Sequence, residues 1–279
     1  MTAAARHALP RVTSGQLYAG LSLLLLANGM TLRIVRSIEQ SGPSVALLAT
    51  FQISAAVWVA AAAAVALLLR CTVPLTRHDH RLAAVLAALA LLPLSQASWL
   101  ALSALALHLM LAPSAAGQSS ATLRRAGLIL LGITGAMFWG RLVLQAGGDA
   151  ILRADAVLVG WLTGMPVDGN LVRMVGGAGW VWIAPYCSSL SNMSIAILCC
   201  VTVTAWRGLP WDGGQALRCA AACAAVIAIN DLRVAMIVWH PARYDLVHGD
   251  IGLAVANWVT IGAVLLICLS GNNRAYAGR

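Results

Sequence analysis

The chain reads as an all-α fold, a polytopic transmembrane helix bundle of about eight spans with both termini cytoplasmic. Three observations predict it. First, 61% of the 279 residues are hydrophobic and 10% are charged, with a mean hydropathy of +0.84. A soluble domain carries about a quarter charged residues, so this chain lacks the polar surface that water requires. Second, the apolar residues fall into runs close to the ~20 residues that cross a bilayer as helix, with no alternation of period two. Third, all 18 basic residues are arginine, and most sit in short segments between the runs, as topology determinants do.

In order, the expected spans are 16–35, 45–69, 82–94, 96–112, 123–146, 187–206, 214–239 and 250–270. Arg6 and Arg11 ahead of the run Leu17 to Met30 resemble a signal peptide. The run is long enough to span and more spans follow, so it is read as an uncleaved first helix. Ala60 to Ala64 in the second span indicates close helix packing. The stretch from Leu82 to Leu111 overshoots one crossing, and Pro93, Ser95, Gln96 and Ser98 interrupt it. A breaker beside polar groups makes it a hairpin of two short spans.

Charge placement favours the hairpin. With the N-terminus inside, the cytoplasmic segments hold Arg6, Arg11, Arg70, Arg77, Arg81, Arg124, Arg125, Arg207, Arg218, Arg274 and Arg279. The outer segments hold Arg33, Arg36, Arg153, Arg173 and Arg243. Eleven against five follows the positive-inside rule; seven spans would put the last four of the eleven outside. The whole chain, 1–279, is expected to be one integral membrane domain. Residues 147–186 carry Trp161, Trp180 and Trp182 with glycines and scattered charges, and read as an extracytoplasmic interfacial segment covering the outer end of helices 187–270. The arginines form no basic stripe interleaved with aromatics, which excludes nucleic acid as a partner; the bilayer is the partner that composition demands.

Three residues with chemistry fall at the outer ends of the last three spans: Cys187, Arg233 and His248. A thiolate is the reactive form of cysteine, and a free thiol is mostly protonated at neutral pH. His248 can serve as base and then as acid for a leaving amine. Arg233 keeps its proton, so it is suited to lowering the thiol pKa, holding a substrate carbonyl or stabilising an oxyanion. Ser188 and Ser189 stand at the start of the sixth span, where unpaired N–H groups and partial positive charge are expected to assist the thiol. Asn230, three residues before Arg233, shares its helical face; Asp231 falls on a different face.

The remaining polar residues have plainer readings. Cys199, Cys200, Cys219, Cys223 and Cys268 lie inside apolar runs and behave as small hydrophobes. Cys219 and Cys223 are one turn apart, without a histidine or carboxylate to complete a metal site. His240 and Arg243 compete with His248 and Arg233 by position. His78 and His80 read as solvated loop residues, and His108 and Arg141 as a pair inside the bundle. No metal or other cofactor is called for.

The ordered motifs resemble the exosortase/archaeosortase family of membrane transpeptidases. They run Ala184-Pro185-Tyr186-Cys187-Ser188-Ser189, then Asn230-Asp231-Leu232-Arg233, then His248-Gly249-Asp250-Ile251-Gly252. The family pattern is Cys-Ser, usually followed by Gly, then Asn-x-x-Arg, then His-x-x-x-Gly. This chain has Ser189 at the Gly position. The likeness covers about residues 147–270. It implies a cysteine peptidase with Cys187 as nucleophile and Arg233 and His248 as its partners. The implied substrates are membrane-anchored proteins with C-terminal sorting tails of the PEP-CTERM type: a short motif, a transmembrane helix and a basic tail. The implied location is the cell inner (cytoplasmic) membrane, with the active site facing the periplasm or exterior. Two other readings fit the sequence less well. A transporter usually carries its ionisable residues at the midplane of broken helices, and here they cluster at span ends. A non-catalytic partner in polysaccharide export would not need Cys187.

Overall fold

A computed structural model describes residues 12–111, 118–177 and 179–270. Arg6, Arg11, Arg274 and Arg279, and the last residue of the expected span 96–112, lie outside the described residues. The chain is mostly helical and divides into two compact units, Met1–Leu131 and Gly132–Arg279.

The first unit is built on α1 (Ser14–Ser41), packed against α3 (Ala55–Leu69), α4 (Arg77–Ala90) and α5 (Ser95–Met110). Capping boxes at Thr13 with Gln16 and at Thr76 with Asp79 start α1 and α4, satisfying N–H groups that a helix start leaves unpaired. Gly15 lets α1 approach the carbonyls of Leu68 and Cys71, and a side chain at Gly29 would meet the Trp99 indole at 2.9 Å. Asn28 Nδ2 donates to the Ala90 carbonyl and to Ser98 Oγ, each at 2.8 Å. It thereby ties α1 to both helices of the hairpin, which breaks between Ala90 and Ser95 at Pro93. His108 is engaged by Tyr18 and Asp79.

The second expected span is interrupted. A short α2 (Pro43–Leu48) is followed by Thr50, Phe51 and Gln52, all left-handed with φ of 51°, 55° and 55°. Only the 15 residues of α3 continue as helix, about 22 Å at 1.5 Å per residue.

Helix α6 (Gln118–Thr134) passes through a π-helical turn (Gly135–Trp139) into α7 (Gly140–Thr163). The helix expected to end at 146 therefore continues to Thr163, with a kink at Gly147 (φ −127°) and a left-handed cap at Gly164. Residues 164–186 then add a feature absent from an all-α fold. Strands β1 (Val167–Asp168), β2 (Leu171–Arg173) and β3 (Trp180–Trp182) form an antiparallel sheet in that order. Val172 and Ile183 from this region pack with Leu152, Ala156 and Val159 of α7. They also meet Val234, Ala235 and Val238 of α9 (Gly213–Trp239).

Helices α8 (Ser189–Arg207), α9 and α11 (Asp250–Leu269) pack on one another, with the short α10 (Tyr244–His248) before α11. Cys199, Cys200, Cys219, Cys223 and Cys268 gather in the apolar core of these three helices, as small hydrophobes do.

Among the described residues, five helices are long and apolar enough to cross a membrane. They are Ser14–Ser41, Ser119–Thr163, Ser189–Arg207, Gly213–Trp239 and Gly252–Leu269. Large apolar side chains such as Leu48, Trp161, Trp258 and Leu266 face outward. Lipid, not water, accommodates such a surface.

Candidate active site

In the second unit, Cys187, Arg233 and His248 line one cavity of about 230 Å³. Trp180, Trp182 and Ile183 form its sheet wall, and Ile237 and Tyr244 complete the opposite side. Cys187 ends a 3-10 turn (Pro185–Cys187), two residues before α8 begins. Arg233 projects from α9 near its C-terminal end, and His248 is the last residue of α10. The structure brings these three together; His240 and Arg243 are not among the cavity's lining residues.

Arg233 Nε donates to the Val247 carbonyl at 3.2 Å. The guanidinium therefore fixes the backbone beside His248. The His248 ring stacks on Tyr244, centroids 4.9 Å apart. Gly252 allows the start of α11 to pass close to the carbonyls of Leu246 and Val247, which any Cβ would strike. The motif glycine thus has a steric reason, and the carbonyl it clears is the one that holds Arg233.

The turn carrying Cys187 is held from behind. Asn230 Nδ2 donates to the Cys187 carbonyl at 2.8 Å and to Ser189 Oγ at 3.3 Å. The Ser189 hydroxyl donates to Asp231 Oδ1 at 3.4 Å, and its backbone N–H donates to Asp155 Oδ2 at 3.1 Å. Ser188 Oγ accepts from Leu190 N as the N-cap of α8. The serine groups expected to assist the thiol are thus spent on holding the turn. Asp231, placed by helical position on another face, joins Asn230 in this network because its partner comes from a different element. Asp155 lies in the segment 147–186 expected to be interfacial, yet it is buried. A carboxylate near long apolar runs was the available signal for it.

Burial pushes the Cys187 thiol above its usual range; the Arg233 charge and a hydrogen bond to the thiol from the Ala184 backbone oppose this only in part. Position at a helix mouth does not activate this thiol, so a base is needed to take its proton. The cavity offers an imidazole for that step and a guanidinium for developing negative charge.

Compared with models of protein families, with curated proteins and with solved structures, the chain gives no match.

Proposed function

We propose that this chain is a membrane-embedded cysteine peptidase or transpeptidase of the exosortase type, acting at the outer face of the cytoplasmic membrane. The single observation that carries the reading is the shared cavity of Cys187, Arg233 and His248. In this reading eight rods cross the bilayer: α1, α3, α4, α5, the α6–α7 run, α8, α9 and α11. Both termini are cytoplasmic, and residues 164–186 lie outside over the mouth of the cavity. A substrate anchored by a C-terminal helix delivers its scissile bond at that height.

His248 takes the Cys187 proton, and the sulfur attacks the scissile carbonyl carbon. Arg233 stabilises the oxyanion of the tetrahedral intermediate. When the C–N bond breaks, His248 returns the proton to the leaving amine. Water or an acceptor amine then resolves the thioester.

The test is processing of a co-expressed protein bearing a motif, a transmembrane helix and a basic tail, with mass-spectrometric trapping of an acyl group on Cys187. Wild type is expected to cleave, and Cys187→Ala, Arg233→Ala and His248→Ala each to abolish cleavage. Processing at the wild-type rate by all three variants would end the proposal.

A further inference from the structure

A second polar cluster stands in the first unit. The Tyr18 hydroxyl donates to Asp79 Oδ1 at 2.6 Å and lies 3.1 Å from His108 Nε2. His108 Nε2 is 3.7 Å from the same carboxylate oxygen. The His78 ring stacks on His108, centroids 5.6 Å apart and planes 16° from parallel. One donor atom from each of His78, Asp79 and His108 lies within 4.8 Å of the other two.

We propose that His78, Asp79 and His108 hold one divalent transition-metal ion of the zinc class, cross-linking α4 and α5. Two imidazoles and one carboxylate form a borderline donor set that suits Zn²⁺, Fe²⁺ or Co²⁺, whereas Mg²⁺ and Ca²⁺ prefer oxygen alone. Bonds of about 2.1 Å set donor atoms of a tetrahedral site about 3.4 Å apart. Asp79 and His108 are already close to that spacing, and the exposed His78 side chain can swing to close the third edge. The Tyr18 hydroxyl, which bridges Asp79 Oδ1 and His108 Nε2, would yield the ring nitrogen to the ion and keep its hydrogen bond to the carboxylate as an outer contact. The other carboxylate oxygen, Oδ2, accepts from Thr76 N at 2.7 Å and Thr76 Oγ1 at 2.8 Å, the kind of outer contact that orients a ligating carboxylate. His108 lies in the last turn of α5, where the helix end favours a cation. A purely structural tie would use Tyr18, Asp79 and His108 and leave the stacked His78 without a part.

The test uses the full chain in detergent, stripped with a chelator, titrated with Zn²⁺ by calorimetry and with Co²⁺ by visible absorption. Wild type is expected to bind one Zn²⁺ per chain, with Mg²⁺ and Ca²⁺ failing to compete. His78→Ala and His108→Ala should each weaken Zn²⁺ at least ~100-fold, and Tyr18→Phe, which removes an outer contact, about 10-fold. His80→Ala, beside the cluster, should bind as wild type does. His78→Ala alters an exposed ring, so equal metal-free unfolding temperatures will exclude misfolding as the cause. Zn²⁺ affinity unchanged in His78→Ala, or lost equally in His80→Ala, overturns the proposal, as does wild type that binds none. The cluster shares no residue with the Cys187 cavity, so failure here leaves the peptidase reading standing.

Discussion

Arg233 donates its Nε hydrogen to the carbonyl of Val247, one residue before His248. One guanidinium therefore does two things: it fixes the backbone that carries the imidazole, and it brings its charge to the cavity that Cys187 lines. Lysine cannot do both, since an ammonium lacks the fixed fork of donors. Arg233→Lys is expected to lower substrate processing at least ~100-fold, the usual cost of one oxyanion donor, and to lower it nearly as far as Arg233→Ala. Measured cleavage rates decide it. A lysine variant within a few-fold of wild type would reduce Arg233 to a point charge.

The Cys187 thiol sits above the ordinary cysteine pKa because burial outweighs the Arg233 charge. A raised pKa means less thiolate at neutral pH than a free cysteine has. In a variant that keeps Cys187 as its only cysteine, alkylation by a small neutral reagent should inflect at a higher pH than alkylation of a free cysteine under the same conditions. Arg233→Gln should move the inflection further up. An inflection at or below that of free cysteine would contradict the half-buried, protonated resting state.

The apolar runs were legible because hydrocarbon length and helix rise are simple constraints. A helix stands in each of the eight expected runs, but among the described residues only five are long and apolar enough to cross a membrane, and the second run is broken between α2 and Ala55. That break was hidden because Thr50, Phe51 and Gln52 adopt positive φ without a glycine. The end of α7 was misread in the other direction. Gly147 and Gly148 look like a terminus, but a helix can absorb glycine at ~1 kcal/mol, and here it only bends. Within the candidate site, position at the ends of apolar runs pointed to Cys187, Arg233 and His248, and the resemblance of the ordered motifs separated them from His240 and Arg243. The Asp155 and Asp231 contacts could not be read this way, since they join separate elements. His78 is solvent-exposed as expected, but it lies in the first turn of α4 rather than in a loop, and the ring it stacks on lies 30 residues away in sequence.

Gly252 faces backbone oxygens of Leu246 and Val247 at a distance no Cβ can share. Gly252→Ala must push α11 away from the turn that carries His248. A loss of ~1–3 kcal/mol is expected, the range for forced overpacking. Thermal unfolding in detergent measures it, and Gly262→Ala, whose Cβ would meet open space, is the control that should not lower the midpoint.

Asn230 separates a steric from an electrostatic role in the network behind Cys187. Its amide donates to the Cys187 carbonyl and to Ser189 Oγ, and buried Asp155 and Asp231 already hold the other Ser189 groups. Asn230→Ala removes two donors and leaves buried acceptors short of a partner, at a cost of about 1–3 kcal/mol. Asn230→Asp keeps the size but replaces the donor with a third carboxylate. Like charges in a confined site repel unless a proton is shared, so the aspartate variant should be less stable than the alanine variant above pH 7 and should recover as the pH falls. Unfolding midpoints of both variants between pH 5 and 8 supply the comparison. If the two run parallel across that range, the two aspartates do not act on position 230, and the turn is held by packing rather than by its hydrogen-bonded network.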